Sequence, residues 1–183
     1  GEILLDGKPV SLPKNGAAEK LGIVIIHQEF NLADHLTVTE SLYLGHELTN
    51  FGILDRKTMR ARTRAALDQL GSNIDENALI SSLAVADKQM VEIAKAISRD
   101  ARVVIMDEPT AVLSGEETRV LFDQVRKLKA GGTSFIFVSH KLNEVMEISD
   151  RVTVLRDGQW VKTAPTSILD GESIAQLASL LPS

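Results

Sequence analysis

Apolar residues along this chain follow two rhythms. Short unbroken runs, Gly22-Ile23-Val24-Ile25-Ile26-His27, Val103-Val104-Ile105 and Thr133 to Val138, have the length and β-branched content of buried strands. Between the first two runs the spacing changes. Met90, Ile93, Ala94 and Ile97 fall on one face of a segment over 85–98, which predicts a helix, and further helices are predicted near 38–45 and 56–70. Residues 31–100 thus read as a helical block inserted between sheet strands. From Arg102 onward the pattern is a strand over 102–106, a helix over 116–130 closed by Gly131-Gly132, and a strand over 133–138. A short helix near 142–148 then leads to a hairpin of 151–155 and 159–161 around Asp157-Gly158. Residues 1–30 predict an antiparallel hairpin turning at Asp6-Gly7, a short helix and the strand that leads to Gln28, and a last helix follows Asp170. Strands alternating with helices predict an α/β fold with a mostly parallel sheet. Its core lobe would comprise 1–30 and 101–183, with 31–100 as a helical subdomain.

Composition narrows the class. At 183 residues and 44% apolar, the chain can bury one substantial core. It has no cysteine, which excludes a disulfide framework and thiolate chemistry. A net charge of −5 argues against a nucleic-acid surface, which needs clustered cations. The basic stretch Arg56 to Arg64 reads as a solvated helix face. No apolar stretch reaches the ~18 residues of a membrane span, and no signal-peptide pattern is present.

The chemistry concentrates at strand ends. Met106-Asp107-Glu108-Pro109 places two adjacent carboxylates at the C-terminal tip of a buried strand, where α/β sheets hold ligands. One carboxylate can serve a metal-bound nucleotide by holding Mg²⁺, and the other can orient or deprotonate an attacking water. Alone, such a pair is equally an acidic solvent edge. The strand over 133–138 delivers Ser139-His140, and the first apolar run delivers Gln28.

Taken together and in this order, these motifs resemble the nucleotide-binding domain of the ABC transporter ATPases, over essentially the whole chain. The resemblance implies a P-loop NTPase-like fold that binds ATP and Mg²⁺. Gln28 matches the Q-loop glutamine that links Mg²⁺ and the attacking water to the transporter contact. Leu83, Ala84, Val85, Ala86 and Asp87 match the signature, and Val103 to Glu108 the Walker B strand, with Asp107 toward Mg²⁺ and Glu108 as catalytic base. Ala111, Val112, Leu113 and Ser114 match the D-loop, and His140 the switch histidine that senses the γ-phosphate as a hydrogen-bond donor. Phe30, Asn31 and Leu32 would either dock a permease's coupling helix or make a local core contact. Trp160 would be a packing residue.

Finer likeness points to the N-terminal cassette of tandem monosaccharide importer ATPases, of the ribose, galactose and xylose type. It rests on His27-Gln28-Glu29-Phe30-Asn31-Leu32, Gln89 to Lys95, Ser139 to Val145 and Asp150 to Gly158. That group implies a second cassette in the same polypeptide, membrane permease subunits, an indirect sugar-binding protein and a place on the cytoplasmic side of the membrane. It implies no nucleic acid. Two departures matter. Ala84, Val85 and Ala86 replace the family's Ser-Gly-Gly, so the signature is degenerate, and no Gly-x-x-x-x-Gly-Lys-Ser/Thr occurs in the chain. The resemblance places that phosphate loop just upstream of Gly1 and a linker to the second cassette near Ser183. Without the loop the chain alone would be inactive, and strands 133–138 and 151–156 would not pair, because the phosphate-loop strand lies between them. A non-transport ABC ATPase and a non-catalytic fragment are the alternative readings.

Overall fold

The computed structural model describes residues 1–12, 16–27 and 32–169. Strands β1 (Ile3–Leu5) and β2 (Lys8–Val10) pair antiparallel. Asp6 and Gly7 between them both have positive φ, 52° and 72°, as a tight hairpin turn with the strands' own twist demands. A one-turn helix α1 (Ala17–Lys20) precedes β3 (Ile23–Ile26). The block that follows begins with α2 (Val38–Tyr43), whose Thr37 and Glu40 form a reciprocal capping box. Then come β4 (Thr49–Asn50), β5 (Ile53–Leu54), α3 (Arg56–Gln69), capped by the Asp55 side chain, and α4 (Val85–Ser98). The last third runs β6 (Val103–Asp107), α5 (Gly115–Ala130), β7 (Ser134–Val138), α6 (Leu142–Ile148), β8 (Arg151–Arg156) and β9 (Gln159–Pro165).

Three parallel strands form the centre, in the order β3-β6-β7. Ile26 stands opposite Met106, and Asp107 opposite Val138. The two faces differ. Val24, Ile26, Val104 and Met106 point into a continuous core with Val91 and Ile93 of α4 and Leu121, Phe122 and Val125 of α5. Ile25, Ile136 and Val138 lie on the opposite face and are exposed. Helices α2, α3 and α4 pack on one another, and their Leu42, Leu67 and Ile80-flanked interior belongs to the same core. Burying each such side chain is worth about 1.5–3 kcal/mol. Beneath the β8–β9 hairpin a small satellite cluster joins Val145, Val152 and Val154.

Among the described residues no ladder joins β7 to β8; β8 pairs only with β9. This is the break in pairing that the family likeness leads one to expect. Three details depart from the sequence reading. The block 31–100 is not wholly helical, since β4 and β5 make a small hairpin turning at Phe51-Gly52, with φ of 51° and 81°. Phe51 is 100% exposed there, so hydrophobicity gave a misleading cue. Trp160 is not a packing residue: it is 66% exposed, and its indole N–H donates to Thr163 Oγ1 at 2.9 Å. Finally, β9 runs to Pro165, past the predicted end, because β8 pairs with it all the way back to Arg151, and a bulge opposite Val154/Leu155 adds one residue to β9. The helix expected after Asp170 lies outside the described residues.

Candidate active site

Parallel pairing brings the C-terminal ends of β3, β6 and β7 to one edge of the sheet. There the chain turns sharply after Asp107. Glu108 has φ of 47°, a left-handed conformation that a non-glycine residue holds only where its surroundings over-determine it. Those surroundings are present. Its amide donates to Val138 O at 2.9 Å, extending the ladder by one bond, and its carbonyl accepts from Ala111 N at 3.1 Å. Glu108 Oε1 accepts from the His140 amide at 3.2 Å and meets His140 Nδ1 at 2.8 Å.

This pair is polarised in exposure. The Glu108 side chain is 18% exposed and that of His140 78%. Glu108 Oε2 is buried and has no hydrogen-bond partner among the described residues. A buried carboxylate oxygen without a protein partner can accept a hydrogen bond from a water molecule. His140 uses Nδ1 toward Glu108, which turns Nε2 outward to solvent. Asp107, exposed and one residue earlier, projects from the same edge.

A second set of contacts joins the segments that follow β6 and β7. The Thr110 hydroxyl donates to Glu144 Oε2, and Lys141 Nζ donates to Thr110 O at 2.9 Å. Lys141 and Glu144 are themselves an ion pair at 3.2 Å. Sequence reasoning missed all three residues. The i,i+3 spacing of Lys141 and Glu144 was legible, but their meeting with Thr110, more than thirty residues earlier, depends on the β6–β7 register.

The other expected residues are placed as follows. Ala84 is the N-cap of α4 and makes no side-chain cap hydrogen bond; Ala84 and Val85 are exposed, while Leu83 packs on the core. None of the hydrogen bonds of Glu108 or His140 reaches segment 83–87. In the segment Ala111, Val112, Leu113 and Ser114, the first two are exposed, Leu113 packs on the core, and Ser114 forms a capping box with Glu117 at the start of α5. Gln28, Phe30 and Asn31 lie outside the described residues, and Leu32 packs against the core. On α4, Glu92 and Gln89 are buried, and burial pushes the Glu92 carboxyl above its ordinary range. This buried acid was also not anticipated.

The donor set suits a nucleotide's Mg²⁺ better than a protein-caged ion. Among the described residues no group of three or more His, Cys, Asp or Glu side chains could enclose a metal. Mg²⁺ retains waters and takes one or two carboxylates with substrate phosphates, so a single exposed Asp107 fits that mode. No helix among the described residues is long and apolar enough to cross a membrane.

Comparison with known proteins bears on the same residues. The sequence profile described as "ABC transporter" matches residues 1–111. The chain is 52% identical over 161 residues to the ribose import ATP-binding protein RbsA 1 of Rubrobacter xylanophilus, covering 88% of this chain and 32% of that protein. It is 46% identical over 174 residues to ribose import ATP-binding protein RbsA of Corynebacterium glutamicum, covering 95% and 33%. The chain therefore spans about a third of the length of the curated relatives it matches. Among solved structures, cbiO1 from Clostridium perfringens, part of an ABC transporter complex, superposes with a TM-score of 0.76 at 24% identity over 91% of this chain and 66% of that one. The ADP conformation of the ATP-binding cassette MJ1267 gives 0.77 at 21% identity over 96% and 71%.

Proposed function

The chain belongs to the ABC transporter family of ATP-binding cassettes, and from that premise we propose that it is the hydrolytic part of an ATPase that drives import of a monosaccharide. The observation that carries this reading is the Glu108–His140 pair, with Oε1 engaged and Oε2 without a hydrogen-bond partner among the described residues. Glu108 Oε2 takes the proton of the attacking water. His140 holds the carboxylate by its amide and its Nδ1–H, and in the imidazolium form, where both ring nitrogens donate, it would present Nε2–H to the γ-phosphate. Asp107 would hold the Mg²⁺, with Gln28 as its second protein contact. When bound there, Mg²⁺ would supply neutralisation of charge on the nucleotide's phosphate oxygens. Catalysis by this chain's residues is thus proton removal plus positioning.

The relatives' names state ribose import and ATP binding; the permease partners, the sugar-binding protein and the membrane's cytoplasmic face are part of this proposal. So is a second cassette in the same polypeptide. The 183 residues contain no glycine-rich lysine loop to cradle the β and γ phosphates. We therefore expect calorimetry on the 183-residue chain with Mg²⁺ and micromolar ATP to show no binding, while the full-length natural polypeptide with its permease hydrolyses ATP faster when a sugar-loaded binding protein is added. A clear micromolar isotherm on the short chain, or a full-length protein indifferent to every monosaccharide, would overturn the corresponding part.

The degenerate signature gives a second test. Ala84 sits at an N-cap without a cap bond, so Ala84→Ser should raise unfolding free energy by about 1 kcal/mol. In a tandem protein this signature faces a partner site without catalytic groups, and ATPase activity should change by less than about twofold. In a symmetric homodimer it would face a twin's Glu108 and His140, and a regained charge-assisted hydrogen bond would raise the rate about tenfold. Phosphate release measured with the permease present separates the two assemblies.

A further inference from the structure

Thr110 has no part in the chemistry above, yet it is 0% exposed and sits two residues beyond Glu108. Its hydroxyl donates to Glu144 Oε2, and its carbonyl accepts from both Lys141 Nζ, at 2.9 Å, and Leu113 N, at 3.3 Å. Lys141 Nζ also reaches Glu144 Oε1 at 3.2 Å, so one carboxylate is shared between a hydroxyl and an ammonium. The loop after β6 and the loop after β7 are therefore tied twice. Glu108 holds His140, and Thr110 holds the pair Lys141 and Glu144.

A single tie between two loops is a hinge. A second tie, two residues further along the chain, removes the rotation about the first, and Glu108 needs that restraint because its left-handed backbone has lower-energy alternatives. The second tie is also internally balanced: the lysine neutralises a half-buried carboxylate, and the threonine hydroxyl occupies the oxygen that the lysine leaves open.

We propose that Thr110, Lys141 and Glu144 form a latch that fixes His140 against Glu108, making them positioning residues for hydrolysis. This rests on the ATPase reading. The latch predicts that loss of one member leaves nucleotide affinity intact while Glu108 and His140 drift apart.

The test uses the full-length natural polypeptide and the variants Thr110→Val, Thr110→Ser and Lys141→Met, with wild type and Glu108→Gln as references. Thr110→Val keeps shape and removes the hydroxyl; Thr110→Ser restores it. Thr110→Val and Lys141→Met should each lower kcat about tenfold with KM for ATP within about twofold of wild type, and Thr110→Ser should keep most of the rate. In parallel, the imidazole nitrogen NMR signals of His140 should lose the signature of a hydrogen-bonded Nδ1 in the first two variants and retain it in Thr110→Ser. If Thr110→Val fails to fold, Lys141→Met decides, because that side chain is partly exposed and its loss leaves no cavity. Wild-type kcat together with an unchanged His140 spectrum overturns the latch. So does a rate that falls only with the folded fraction while the His140 spectrum of the folded protein stays the same. A wild-type protein that hydrolyses no ATP defeats the ATPase reading instead, and the His140 spectra still judge the latch.

Discussion

Glu108→Gln should lower ATP turnover by the full-length protein about 10²- to 10⁴-fold, the range that a positioned general base contributes. Glutamine keeps an oxygen that accepts from the His140 amide and from Nδ1, which Glu108 Oε1 now engages at 3.2 and 2.8 Å. The turn and its contacts can therefore survive. What is lost is the capacity of the second oxygen, buried and unpartnered among the described residues, to take a proton. Nucleotide binding should persist, because Asp107 and the phosphate-holding groups are untouched. Single-turnover hydrolysis beside nucleotide-binding titrations would show this split. Retention of most of the wild-type rate would mean that water is deprotonated elsewhere and that this half is not the hydrolytic one.

Phe122→Ala should cost about 3–5 kcal/mol of stability, which is a large part of what a domain of this size possesses. Phe122 is 1% exposed on α5 and meets Phe137 of β7 edge to face, with centroids 5.8 Å apart and planes at 76°. Truncation removes the transfer energy, leaves a cavity and abolishes the aromatic pair. Urea unfolding monitored by circular dichroism is the measurement. A loss below about 1 kcal/mol would show that α5 and β7 close the gap by relaxing, contrary to a close-packed core.

The sequence disclosed the parts of this molecule whose cues are local. The runs at 23–26, 103–107 and 134–138 were legible as strands, although the structure buries only one face of β3 and β6 and no residue of β7 fully, and Asp6-Gly7 and Asp157-Gly158 marked the turns of the β1–β2 and β8–β9 hairpins, where both residues take positive φ. The β4–β5 hairpin escaped because two-residue strands carry no periodicity, and because Phe51 looks like a core residue while standing in solvent. At the site, Glu108 and His140 were legible as residues at two strand ends. That they bond through Oε1 and Nδ1 was not, nor was the involvement of Thr110. Both follow from how two strands align, and alignment is a property of the packed sheet.

That alignment sets a rule for which genetic changes the site can survive. Along β6 the side chains alternate, with Val104 and Met106 buried and Asp107 exposed next after Met106. Swapping one apolar residue for another leaves this phase unchanged. Inserting or deleting one codon within the strand moves every later side chain to the other face, so the aspartate would be driven into the core or the whole ladder would slip against Val138. Length within 103–107 is therefore far less free to vary than identity, and viable indels should fall in the loops on either side.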